Sequence, residues 1–178
     1  MNHDSTPTTT SAHPAVTPAE GGPVRFRERA RLRAGAAEVL VFRIGREWCG
    51  LELQAVLEVV DAPDVRPIPE SPPALLGVFP LRGALLPLYA PGAVLGIPAD
   101  GSALALVMRR RGGRLAIAVD DVDEVLRIDL SALRDPPPGV HTDDAVVGIL
   151  LRPGHLITVL DARALVSACF VQAPAGMT

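Results

Sequence analysis

Residues 39–60 read VLVFRIGREWCGLELQAVLEVV, and residues 105–126, 66 positions further on and without a gap, read ALVMRRRGGRLAIAVDDVDEVL. Both begin with an apolar run, break at a glycine-containing turn, resume as a second apolar run and end on a Val-x-Glu-Val core. In that core Val56, Glu58 and Val59 are matched by Val122, Glu124 and Val125. Apolar runs of this length bounded by turn residues predict a β-hairpin followed by more extended chain. The match resumes at a shift of 71, laying GVFPLRGALLPLYA (77–90) on GILLRPGHLITVLD (148–161). The five extra residues fall in the loop DPPPGVHTDD, where added length costs little closure entropy. The chain is thus two copies of one unit, each predicted to hold about five short strands, too few for a large sandwich but enough for a small barrel. A mainly β protein of two small five-stranded β-barrels packed together is the expected fold.

Within this frame GVFPLRGALLPL (77–88) reads as two strands joined by a tight turn at Leu81, Arg82 and Gly83. Gly83 can supply the positive φ that such a turn needs. Arg82 is the one charge in these twelve residues, so it must sit at a rim or in a pair. Glu58, the charged interruption of the Val-x-Glu segment, is the expected partner. The second copy has Pro153 where the first has Arg82, so the pair is expected to be special to the first barrel.

Composition narrows the function. The 178 residues are 48% hydrophobic but only 3% aromatic, so the core must be aliphatic. With 17 basic residues, all arginine, against 20 acidic ones, the net charge is −3, which argues against a body built to neutralise phosphates. Cys49 and Cys169 are far apart and fit no metal or redox spacing. They are expected to be ordinary buried residues. His3, His13, His141 and His155 make no pair at a ligand spacing, and no phosphate loop or nucleophile motif occurs. No catalytic residue, metal or cofactor is therefore expected. Asp120, Asp121, Asp123 and Glu124 lack a calcium-loop pattern and read as a solvated turn or short helix start. No apolar run approaches a membrane span and no signal pattern opens the chain, so a soluble cytoplasmic protein is expected.

Residues 1–23 are rich in Thr, Ser, Pro, Ala and Gly and read as a disordered tail. Residues 24–37, with five arginines at alternate positions, read as a short Arg-rich helix, a solvated lead-in that could be deleted without loss of fold. Residues 38–168 are expected to form the ordered domain, its first barrel mainly 39–95 and its second mainly 103–166 with the exchange of strands between them left open, and 169–178 a C-terminal tail. The proline-rich run 62–73 is an ordered surface excursion.

The order LVFRIG, GLEL, VLEVV, proline, then LLGVFPLRGALLPL resembles the CheW-like domain of bacterial chemotaxis coupling proteins over residues 38 to about 168. The family's LRG turn is matched by Leu81, Arg82 and Gly83, its preceding Gly-Val by Gly77 and Val78, and its Val-x-Glu by Val56 and Glu58. The resemblance implies two SH3-like barrels and a cofactor-free scaffold that joins methyl-accepting chemoreceptor tips to a CheA-type histidine kinase. The receptor's helical tip would lie in an apolar groove between the subdomains. Val56, Glu58, Val60, Leu81, Arg82 and Gly83 are then the candidate partner-binding residues. The chain would meet membranes only through receptor arrays, and no nucleic acid is expected as partner. Pro80 replaces the family's Asn, and Tyr89-Ala90-Pro91 replaces its Asp-Leu-Arg, whereas the second copy keeps Asp161-Ala162-Arg163. A nucleic-acid-binding small barrel using the basic helix is the alternative class, and a ligand-binding or enzymatic barrel a third.

Overall fold

In a computed structural model, residues 26–61, 64–98, 101, 104–110, 112–137 and 145–171 are described. The tail 1–23, the first residues of the Arg-rich segment, most of the 135–144 loop and the last seven residues lie outside them. The elements run α1 (Phe26–Arg31), β1 (Ala36–Ile44), β2 (Glu47–Glu52), β3 (Val56–Asp61), β4 (Leu75–Leu81), β5 (Ala84–Tyr89) and α2 (Pro91–Leu95). The series then repeats as β6 (Leu104–Arg110), β7 (Gly113–Val119), β8 (Asp121–Asp129), β9 (Val146–Arg152), β10 (His155–Leu160) and α3 (Ala162–Val171). Each copy is five strands and a helix, as the repeat requires.

The copies do not close on themselves. One five-stranded sheet has the order β8-β1-β2-β10-β9 and the other β3-β6-β7-β5-β4. Each barrel therefore combines the first hairpin of one copy with the last three strands of the other. The expected barrels over 39–95 and 103–166 are corrected accordingly: β3 to β5 leave the first hairpin and join β6 and β7. Sequence similarity marks equivalent strands, but it cannot say whether a hairpin pairs within its own copy or across copies. We call the first sheet barrel I and the second barrel II.

Two antiparallel bridges outside the strands continue each sheet toward closure at equivalent places, Arg134 with Ile149 in barrel I and Arg66 with Val78 in barrel II. Gly77, beside the second bridge, has φ 148° and its ideal Cβ would lie 2.3 Å from the Arg66 carbonyl oxygen, so only glycine fits. The exchange is sealed by two parallel seams. β2 pairs with β10 over four positions, but β5 pairs with β7 at only Leu88–Ala116 and Tyr89–Ile117. Pro87, which has no N–H to donate, precedes the shorter seam.

Alternation along the central strands explains why they are apolar throughout. Val39 and Val41 of β1 face the interior of barrel I, while Leu40, Phe42 and Ile44 face a core shared by both barrels. Equivalently, Ala105 and Val107 of β6 face the interior of barrel II, while Leu106 and Met108 join the shared core. Both faces of these strands are thus buried.

Three further expectations change. Among the described residues the helix expected over 24–37 runs Phe26–Arg31, and it is not solvated: Phe26 and Ala30, one helical turn apart, pack into the core of barrel I with Ile128, Leu130 and Leu133. Arg29 adds a 3.2 Å ion pair to Glu52, and Arg33 pairs with Asp135. Of the expected tail 169–178, residues 169–171 instead end α3, with Cys169 buried, and the rest lies outside the described residues. The cap of α3 is Asp161, whose carboxylate accepts from the Ala164 N–H at 2.8 Å. The acidic run from Asp121 is the start of a nine-residue strand.

Ala90 takes the Asp161 position in the first copy and caps nothing, and α2, started by Pro91 and stopped by Gly96 at φ 68°, is half as long as α3. The departure at Tyr89-Ala90-Pro91 thus costs a helix cap and leaves the strand before it intact.

Because Phe26 is only 7% exposed, Phe26→Ala should cost about 3 kcal/mol and lower the melting temperature by roughly 10 °C in a calorimetric scan. An unchanged melt would show that α1 does not belong to the core.

Candidate functional site

Glu58 and Arg82 are brought together by the pairing of β3 with β6 and of β4 with β5 within barrel II. Leu81 and Ala84 close the β4–β5 hairpin, leaving Arg82 and Gly83 as a two-residue turn with φ 48° and 79°. Both values are positive, as in a type I′ turn, whose hand matches the twist of the strands. Arginine at the first position is strained, since a side chain with a Cβ rarely sits there at no cost. Its guanidinium reaches Glu58, with Nη2 2.7 Å from Oε2, while Arg114 approaches the other oxygen at 3.9 Å. Arg82 is 73% exposed and Glu58 19%, so the pair is a rim contact worth roughly 0–1 kcal/mol.

The expectation that this pair is special to one barrel is wrong. In barrel I Glu124 pairs with Arg152 at 3.4 Å, one residue ahead of the Pro153 that aligns with Arg82. The reason is turn chemistry. Pro153 and Gly154 form the equivalent β9–β10 turn, where only Gly154 has positive φ, so the arginine moves back into the strand.

The other candidate residues divide. Gly83 shares the turn with Arg82. Val56 is half-buried against the shared core, and Val60 and Leu81 pack against the core of barrel II. On β3 the apolar side chains that reach solvent are Leu57 and Val59, at 39% and 43% exposure, followed by the exposed Asp61. They were legible as the outward half of the alternation in VLEVVD, which a search for charged interruptions passes over. Pro80 is exposed on β4 opposite Leu85, the most exposed large apolar residue described at 69%.

Of the arginines on and just after α1, Arg29 and Arg33 are held by Glu52 and Asp135, while Arg31 is exposed. A polar recess of about 220 Å³ lies beside α1, lined by Arg29, Glu38, Glu52, Gln54 and Arg127. Its charges balance one another, and burial raises the Glu52 carboxyl above its ordinary value despite Arg29.

A family model described as the CheW-like domain matches residues 38–170. The probable chemotaxis protein CheW of Rhizobium etli is 32% identical over 143 residues, which span 76% of this chain and 91% of that protein. The chemotaxis protein CheW of Treponema pallidum is 24% identical over 149 residues, spanning 79% and 88%. The crystal structure of the scaffolding protein TtCheW from Thermoanaerobacter tengcongensis has a TM-score of 0.66 at 28% identity, covering 72% of this chain and 86% of that one.

Among the described residues no group of three or more His, Cys, Asp or Glu side chains could hold a metal ion, and no helix is long and apolar enough to cross a membrane. Burial pushes the Cys49 thiol up to about 12 and that of Cys169 to about 11. Neither can supply a thiolate near neutral pH. A disulfide reagent at pH 8 should therefore titrate neither thiol in the folded protein and both after unfolding; prompt native reaction at either would contradict this packing.

Proposed function

The chain belongs to the CheW-like domain family, and from that footing we propose that it is a non-enzymatic adaptor of a bacterial chemosensory system. In this reading it couples the cytoplasmic tips of methyl-accepting chemoreceptors to a CheA-type histidine kinase. It works without a cofactor, in the cytoplasm, and comes near the membrane only through receptor arrays.

The observation that supports the reading best is the Glu58–Arg82 contact at the exposed end of barrel II. An arginine held in a strained turn, mostly in solvent, adds little to stability, so its value lies in what it presents. Arginine is among the residues that carry most energy at interfaces, and here one carboxylate holds its guanidinium in place before a partner arrives. The outward Leu57 and Val59 on the strand that bears Glu58 add apolar surface. Charge then sets register and on-rate, and apolar contact holds the complex.

Arg82→Ala should leave the melting temperature within a few degrees while weakening capture of a purified chemoreceptor cytoplasmic fragment about tenfold or more. Glu58→Gln should act in the same direction and more mildly, by releasing the guanidinium. Loss of the fold in Arg82→Ala, or unchanged capture, would sink the assignment of this end to a partner.

A further inference from the structure

The β6–β7 hairpin carries arginines that the adaptor reading does not use. Because β5 and β7 run parallel, its turn lies at the same end of barrel II as the Arg82–Gly83 turn. Ala105 and Val107 of β6 and Ala116 and Ala118 of β7 face the interior of this barrel, so strand alternation puts Arg109 and Arg114 at the mouth end of the same inward rows. The two are direct cross-strand partners, an arrangement of like charges that weakens a hairpin. Glu58 stands in the same ring as the cross-strand partner of Val107, and it meets Arg82 at 2.7 Å and Arg114 at 3.9 Å. Arg110 belongs to the opposite face, where its guanidinium covers the Phe170 ring at 4.6 Å. Three guanidiniums at the mouth thus share one carboxylate, and among the described residues Arg109 pairs with none.

Barrel I shows the same place without the crowding. Arg43 matches Arg109 in the repeat, but its cross-strand partner is Trp48, and its guanidinium donates to the Gly45 carbonyl at 3.0 Å. A single arginine there is satisfied by its own chain. In barrel II two guanidiniums stand side by side with one acidic neighbour, and that neighbour lies closer to Arg82 than to either of them. The pair therefore turns its donors toward an anion from outside the chain.

We infer that Arg109 and Arg114 form a site for the phosphoryl group of a small phosphomonoester. Guanidinium forks match phosphate oxygens two at a time, and a phosphomonoester brings a charge of about −1.5 to −2 near neutral pH, where a carboxylate brings a single charge. The charge that makes the hairpin costly on its own is what the ligand neutralises. Below the arginines the inward rows continue as Val107, Ala116 and Ala105, which offer no side-chain donor, so the phosphoryl group rests at the rim and the rest of the ligand stays in solvent. Recognition is then of the phosphoryl group and not of what carries it. The inference stands on barrel II alone and does not depend on the adaptor reading, and the isolated chain tests it.

The full chain is titrated at constant ionic strength with inorganic phosphate, glycerol phosphate, chloride and a mixed-sequence RNA, following the melting temperature and the amide resonances of the β6–β7 hairpin. Inorganic phosphate and glycerol phosphate should each raise the melting temperature and shift those resonances saturably, while chloride does neither. Arg109→Gln, and separately Arg114→Gln, should weaken phosphate binding about tenfold or more. In chloride Arg109→Gln should melt no lower than the wild type, because it relieves the like-charge pair. Equal effects of chloride and phosphate, phosphate binding unchanged in both variants, or a lowered melt of Arg109→Gln in chloride would overturn the inference. So would a hairpin that ignores both phosphates and retains the RNA.

Discussion

The two parallel seams, β2 on β10 and β5 on β7, are the constraint on which the rest of the molecule depends. Each joins a strand of one copy to a strand of the other, so neither copy can complete a sheet alone. They also force the central strands to be buried on both faces, because one face looks into a barrel and the other toward the second barrel. Phe42, Leu106, Met108 and Ile117 in the shared core are fully buried, so the interface between barrels is packed like an interior. The relative position of the barrels, and therefore of their two exposed ends, is fixed by the same side chains that make the fold stable.

Duplication gives the ends their kinship, and divergence gives them their chemistry. Glu58 and Glu124 occupy equivalent strands and each holds an arginine from the neighbouring hairpin. The arginines differ because one turn admits positive φ at its first residue and the other begins with proline. Arg114 beside Glu58 becomes Trp48 in the other barrel, where the indole packs at a tilt against His155 with ring centroids 5.2 Å apart. Equivalent geometry thus carries a basic surface on one barrel and an acidic, partly aromatic one on the other. A module of this kind can hold two unlike neighbours in a defined relation without any chemistry of its own, which suits a scaffold.

Much of this was legible in the sequence, and the limits were physical. The strands, the hairpin turns at Gly45 and Gly83 and the Glu58–Arg82 contact follow from local pattern, the last because these two are the charged interruptions of otherwise apolar stretches. The exchange of hairpins does not, since pairing across copies is a tertiary choice with no local signal. The burial of α1 is hidden in the sequence because five arginines outweigh Phe26 and Ala30, yet one aromatic and one small apolar side chain a turn apart suffice to tie the helix to the core of barrel I. The Glu124–Arg152 pair was missed because alignment put Pro153 opposite Arg82, and a one-residue shift in a turn hid the same contact. Leu57 and Val59 stand out in the alternation of VLEVVD, but the charged Glu58 between them draws the reading to itself.

Strand exchange makes the two barrels inseparable. Trp48, the one tryptophan of the chain, reports on barrel I, and protection of the β6–β7 amides against hydrogen exchange reports on barrel II. In a denaturant titration the account predicts that tryptophan fluorescence and amide protection are lost together in a single transition, because unfolding either barrel removes strands from both copies. Two separated transitions, or one barrel's amides remaining protected after Trp48 is exposed to water, would contradict it.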